Sequence, residues 1–251
     1  MQFGDLTYLE IRELIEAGAI ALWPTGCTEQ QGPHLPVDYD TFWISSVAET
    51  LSEAAQEREG LLSLVVPTMP FGPTPEHRNY GTGFIDLPQE LYEQLCTAVL
   101  QSLADQGFTR VIWLAGCGGH HLLPTIEAFN RRMAGRCYVQ QLQLPLYDIW
   151  CRLGDESVEE GHADSFTTAI ALHLRPESVR RELIYAPHML PVPWDDPKLD
   201  FSLYSDTGVV GDPTYSSSEL GAQLWEEVIN SGLQSLMALL QEPPPAAPKA
   251  Q

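Results

Sequence analysis

A chain of 251 residues with 44% hydrophobic side chains can bury a full core, and no interior low-complexity linker divides it, so one α/β domain over 1–241 is expected. Its 13 basic and 34 acidic side chains leave a net charge of -21, which repels phosphate backbones and anionic membrane surfaces and argues against nucleic-acid and membrane partners. No apolar run approaches the roughly 18 residues of a membrane span. The acidic start MQFGDLTYLEIREL lacks the basic-then-apolar order of a secretory signal, so a cytoplasmic location is expected. Cys27, Cys96, Cys117, Cys137 and Cys151 are odd in number and form no CxxC pair, which reads as reduced thiols rather than a disulfide framework.

In chain order, Thr7 with Glu10 fits a capping box, and Leu6, Leu9, Leu14 and Ile15 give a helical stripe ending at Gly18, where a C-cap glycine belongs. Residues 19–23 are a short apolar run closed by Pro24, Thr25 and Gly26, the pattern of a buried strand opening into a loop. Phe42, Ile44, Val47, Ala48 and Leu51 recur at helical spacing up to the charged stretch EREG, and 61–67 reads as a second buried strand. Pro88 suits a first helical turn, Leu91, Leu95, Val99 and Leu103 continue that helix to Gly107, and 110–115 is a third strand. Next come a helix over 124–133, a strand with polar interruptions over 137–144, and a helix over 158–174 carrying Phe166, Ile170, Ala171 and Leu174. Residues 186–215, rich in Pro, Asp and Gly, form a long loop of the kind tied to function. Ser216 with Glu219 caps a last helix, and the tail EPPPAAPKAQ, 242–251, has no core-forming residues and is expected to be disordered. Strands alternating with helices predict an α/β class, a three-layer α/β/α arrangement on a mostly parallel sheet.

Three stretches carry chemistry. In LWPTGCTEQQGPHLPVDYD, Glu29, His34, Asp38 and Asp40 fall within a dozen residues, just beyond the carboxyl end of the first strand, where open parallel sheets collect ligands and catalytic groups. AGCGGHH, 115–121, ends the third strand, and EGHADSFTTA, 160–169, opens a helix. A hydrolytic metal site needs carboxylate and imidazole ligands and a water acidified toward hydroxide. Glu29 and Asp40 read either as such ligands or as caps that hold the loop. Cys117 reads as a zinc thiolate or as a small buried residue beneath a glycine turn. His162 reads as a proton-transfer group or as a structural group at a helix start. Side-chain chemistry alone also allows a metal-free thiol enzyme, with Cys117 as nucleophile and His120 or His162 as base. Gly81 and Gly83 form no dinucleotide fingerprint.

The run TGCTEQQGPHLPVDYD resembles the signature of the creatininase (creatinine amidohydrolase) family, G-S-x-E-Q-H-G-P-H-L-P followed by an Asp. The resemblance sets Glu29 and Asp40 in register with metal-binding carboxylates and puts Gln31 where a ligand His stands; its amide oxygen is a poorer ligand than imidazole. AGCGGHH resembles N-G-H-G-G-N, with Cys117 for the ligand His and His120 for the Asn. EGHADSFTTA resembles H-A-G-E-x-E-T-S: His162 is kept as candidate acid/base, Asp164 replaces the Gly, and Ser165 and Thr167 replace the two acidic residues. FGPTPEHRNYGTGFIDL, 71–87, resembles G-x-S-x-E-H-x-x-F-P-G-T and matches at Glu76 and His77, while GVVGDP, 208–213, resembles the family's late G-x-x-G-D-P loop.

The resemblance implies the family's fold and a hydrolase that opens a cyclic amide or another non-peptide carbon–nitrogen bond of a small-molecule substrate. It implies one ion at most, zinc or manganese, on Glu29, Asp40 and Cys117. His162, Glu76 and His77 would be catalytic, and Gln31, His34, His120, Asp164 and Thr167 would form the pocket. A homo-oligomer, hexameric by family analogy, is also implied. Because His to Gln, His to Cys and Glu to Thr all fall on metal positions, a second reading stays open: a metal-free member serving as a small-molecule or protein-binding subunit.

Overall fold

The computed structural model describes residues 1–158 and 161–244. At its centre lie β1 (Ile20–Thr25), β2 (Ser63–Val65), β3 (Arg110–Ala115) and β4 (Tyr138–Leu142), ordered β2-β1-β3-β4 with every pair parallel. Side chains alternate across a strand, and here both sets are apolar, as a sheet covered on both faces requires. Ile20, Leu22, Ile112 and Leu114 enter one core, with α2 (Tyr39–Glu59), α5 (Leu146–Leu153), α6 (Ser165–Leu174) and α7 (Ser218–Gln241). Ala21, Trp23, Val111 and Trp113 enter the other, with α1 (Tyr8–Glu16), α3 (Gln89–Asp105) and α4 (Leu123–Arg132). This is the three-layer α/β/α arrangement expected from the alternation.

Several boundaries differ from the sequence reading for identifiable reasons. β1 continues through Pro24 and Thr25, which stay in register with Leu114 and Ala115, because an extended strand accepts the fixed φ of proline and the Pro24 carbonyl still accepts from Met69 N–H (3.2 Å). β2 is a three-residue edge strand rather than seven. The buried face of α3 is Tyr92, Cys96, Leu100 and Leu103, while Leu91 and Leu95 point to solvent. Two i, i+4 stripes one residue apart lie only about 100° apart on a helix, and apolarity alone did not separate them. The helix expected over 158–174 starts at Ser165, where Asp164 caps it, and LYDIWCRL forms a separate short helix, α5. The cap of α7 is Ser217, whose hydroxyl accepts from Leu220 N–H (3.0 Å); Ser216 instead donates to the Pro213 carbonyl (2.7 Å). Of the tail, 245–251 lie outside the described residues, and Glu242 is anchored by Arg110 and Gln140 at the sheet edge.

The helix that follows β1 covers one face and the helix that follows β3 covers the other. A crevice therefore opens beyond the carboxyl ends of these adjacent strands, the switch point at which doubly wound sheets bind ligands. The polar stretches at 26–40 and 116–121 leave from those two ends.

Candidate functional site

Two glycines let the first turn of α2 enter this crevice. A Cβ on Gly26 would lie 2.6 Å from the Thr41 backbone, and one on Gly116 would lie 2.7 Å from the Asp40 carbonyl oxygen. With nothing larger at either place, α2 drops Asp40 onto the ends of β1 and β3. There the sulfurs of Cys27 and Cys117 and the carboxylates of Glu29 and Asp40 each offer an atom within 4.8 Å of the others, all buried. Among the described residues no Lys or Arg pairs with Glu29 or Asp40. Burial, with Glu76 nearby, pushes the Glu29 carboxyl up to about 8, and burial beside Glu29 holds Asp40 far above the carboxylate range. The hydrogen bond from Cys27 lowers the Cys117 thiol, but burial and the neighbouring carboxylates outweigh it and push the group up to about 12. Four acidic groups packed without a fixed cation are tolerable only when protons or a metal ion neutralise them.

Glu29 also belongs to a second group of donors, with His77 and His162. Gln30 sets their orientation: its Oε1 accepts from Gly32 N–H (2.9 Å), and its Nε2 donates to the Gly208 carbonyl (3.2 Å) and to His77 Nδ1 (2.8 Å). That pattern places the His77 proton on Nε2, an atom with no hydrogen-bond partner that lies 3.4 Å from Glu29 Oε1 and 3.7 Å from Glu76 Oε1. His162 donates from Nε2 to the Gln30 carbonyl (2.7 Å), so its Nδ1 lone pair faces Glu29 Oε1 at 3.7 Å. A backbone carbonyl behind one ring nitrogen is the usual way an imidazole is held for metal or proton at the other. Burial, and His77 beside it, lower His162 to about 3, and burial also lowers His77, so both rings are neutral. A paired bridge to Val210 (2.7 and 2.8 Å) fixes His162, and the next residue, Ala163, has φ 53, a strained value of the kind found at functional sites.

A cleft of ≈ 500 Å³ opens over these groups and is lined by Glu29, Gln31, Glu76, His77, Cys117 and His162, with Thr167 at its side. The structure thus brings the expected metal set and the expected catalytic set together. Gln31 donates to Asp40 Oδ1 (3.1 Å) and lies 3.5 Å from Glu29 Oε1, so its amide occupies space where the family signature carries an imidazole. Three expected pocket residues do not line this cleft. His34 is fully buried against α6, its Nε2 2.8 Å from Thr168 Oγ1, and burial lowers it to about 4. Asp164 accepts from Gly161 N–H (2.7 Å) and Thr167 N–H (2.9 Å), which makes it the cap of α6. His120 Nε2 contacts Cys27 Sγ at 3.0 Å, and the Cys117 sulfur lies within 4.8 Å of both atoms.

Sequence reasoning missed Cys27, Gln30 and Phe201. Cys27 carried a signal: it precedes Glu29 by two, and in extended backbone i and i+2 share a side. Gln30 matched the Gln of the family signature, but its role depends on Gly208 and His77, far along the chain. Phe201, from the long loop expected to be functional, covers both His77 and His162 with ring centroids 5.2 and 5.6 Å away. Glu160 of the third motif lies outside the described residues.

Residues 4–236 match the family model described as Creatininase: creatinine amidohydrolase. The chain is 27% identical over 247 residues to the mycofactocin precursor peptide peptidase of Mycobacterium tuberculosis, covering 96% of this chain and 93% of that protein. It is 25% identical over 194 residues to the 3-dehydro-scyllo-inosose hydrolase of Thermotoga maritima, covering 72% of this chain and 58% of that protein. Its fold resembles a mutant creatininase of Zn-Zn type with a TM-score of 0.80 at 21% identity, covering 96% of this chain and 98% of that one.

Proposed function

Because the chain belongs to the creatininase family of hydrolases, we propose that it hydrolyses an amide bond of a short peptide with a divalent ion, zinc or manganese, held by Glu29, Asp40 and Cys117. The observation that carries this reading is the place of Glu29: it is buried, has no Lys or Arg partner among the described residues, and is shared by a carboxylate–thiol group and a two-histidine group. A peptide is favoured over the cyclic or other non-peptide amide expected from the sequence because a peptidase aligns over nearly the whole chain; Trp194 and Phe201 give the cleft an aromatic wall.

The ion would polarise the scissile carbonyl and acidify a water. His162, neutral and with its Nδ1 lone pair facing Glu29 Oε1, accepts a hydrogen bond from the attacking water and orients it. His77 keeps a proton on Nε2 and donates toward developing negative charge. Glu76, beside His77 at the cleft wall, accepts from the substrate amine. Phe201 covers both imidazoles and keeps water from their inner faces.

Gln31 favours a second reading. Its amide hydrogen bond to Asp40 satisfies a carboxylate without metal, as a binding subunit that has given up catalysis would need. Incubation of zinc- or manganese-loaded protein with a library of short peptides, followed by mass spectrometry, separates the readings. Cleaved peptides, absent with Asp40→Asn, are expected; retention of intact peptides on the protein would support the binding reading instead. A homo-oligomer, hexameric as the family resemblance implies, and a cytoplasmic location belong to the same proposal. Light scattering that gives a monomer would remove the first.

A further inference from the structure

Behind the cleft, a line of buried polar groups runs through an otherwise apolar layer. Trp113 donates from Nε1 to Thr25 Oγ1 (3.0 Å), and the Tyr92 hydroxyl donates to the same oxygen (3.5 Å). The Tyr92 oxygen also lies 3.0 Å from His120 Nδ1, and His120 Nε2 faces Cys27 Sγ at 3.0 Å; a metal at Nε2 sets the ring proton on Nδ1, donated to Tyr92. Gly72 leaves room for the ring, since a Cβ there would lie 2.1 Å from His120 Nε2. Beyond Cys27 stands Cys117, and the three ligand atoms lie within 4.8 Å of one another, all buried.

We propose that Cys27, Cys117 and His120 form a thiolate-rich zinc site of this chain, set deeper than the position served by Asp40. Two sulfurs and one imidazole make a soft donor set, which suits tetrahedral zinc and disfavours manganese. Glu29 borders the site: its Oε2 lies 3.9 Å from Cys117 Sγ, and its carboxylate groups with the two thiols and Asp40, not with His120. Tyr92 is the outer partner that turns the His120 lone pair inward, the role such partners take behind metal-bound imidazoles. Zinc displaces the two thiol protons to solvent, and the ion replaces them as the positive charge among buried anions. Cys27 is fully buried and does not line the cleft, so the same atoms do not serve as a nucleophile and base for substrate. Cys27 and His120 belong to this site alone and Asp40 to the hydrolytic reading alone, while Cys117 is common to the two, so the proposal does not depend on amide hydrolysis.

X-ray absorption at the zinc edge of the unmodified protein tests this without a variant. Two sulfur scatterers at about 2.3 Å and a nitrogen at about 2.0 Å are expected. A shell of oxygen and nitrogen alone would overturn the proposal, as would freshly purified, zinc-free protein with a Cys27–Cys117 disulfide. Cobalt substituted for zinc reports the same thiolates through a near-ultraviolet sulfur-to-metal charge-transfer band. Its intensity should fall about twofold in Cys27→Ser and be unchanged in Cys96→Ser, a buried cysteine outside the group. An unchanged band in folded Cys27→Ser would also overturn it. Loss of peptide cleavage in Asp40→Asn, with the fall caused by Cys27→Ser still seen in that background, separates the two sites.

Discussion

At the scale of residues, Glu29 governs how this site responds to pH. Its carboxyl is held up to about 8 by burial and by Glu76, whereas in the unfolded chain it titrates near ~4.3. Folded, metal-free protein therefore keeps a proton that the unfolded chain releases, and between those values the unfolded state binds fewer protons. The stabilisation is complete below the lower value and is lost as pH rises through the upper one. Buried His34, His77, His120 and His162 are all lowered and oppose this trend below about pH 7, so chelator-treated protein should show a falling Tm from about pH 7 to about pH 9, and Glu29→Gln should flatten that slope. A Tm that rises over this window in treated wild type would contradict the assignment. Gln30 offers a second residue-scale test, because it orients His77 through its amide and His162 through its carbonyl. Only the first contact is lost in Gln30→Leu, so hydrolysis should drop roughly 10–100-fold with the fold retained, the range found when a group behind a site residue is removed. Steady-state kinetics with circular dichroism would show this.

Elements place these residues, and α2 is the one that matters most. Its N-terminal turn reaches the site only because Gly116 has no side chain: a Cβ would meet the Asp40 carbonyl at 2.7 Å and Ile44 Cβ at 2.8 Å. Gly116→Ala should destabilise the protein by about 1–3 kcal/mol through overpacking and weaken metal binding by moving Asp40, both measurable by urea unfolding and metal titration. Asp164 belongs to α6 in the same way. Its loss in Asp164→Ala removes two N–H partners at the helix start and should cost about 0.5–2 kcal/mol. The Thr7–Glu10 capping box and the 110–115 strand were legible in sequence because each depends on neighbours a few residues away. The buried face of α3 was not, because Tyr92 turns inward to reach His120 across 28 residues of chain, a partner no local pattern contains.

At the scale of the molecule, strands apolar on both sides alternating with helices announced a parallel sheet, and the stretches at the ends of β1 and β3 share a site because the switch point makes those ends neighbours. Glu29, Asp40 and Cys117 lie at those ends, and the family resemblance added His77 and His162 to the same constellation. His34 and Asp164 were not readable as structural, since the same residue types serve caps and pockets and only their partners tell them apart. The most direct test of the central claim is peptide hydrolysis by chelator-stripped protein as zinc or manganese is added back. Activity should return in the unmodified chain and stay absent in Asp40→Asn. Equal activity in the two proteins, or none in the unmodified chain at any metal concentration, would contradict the account.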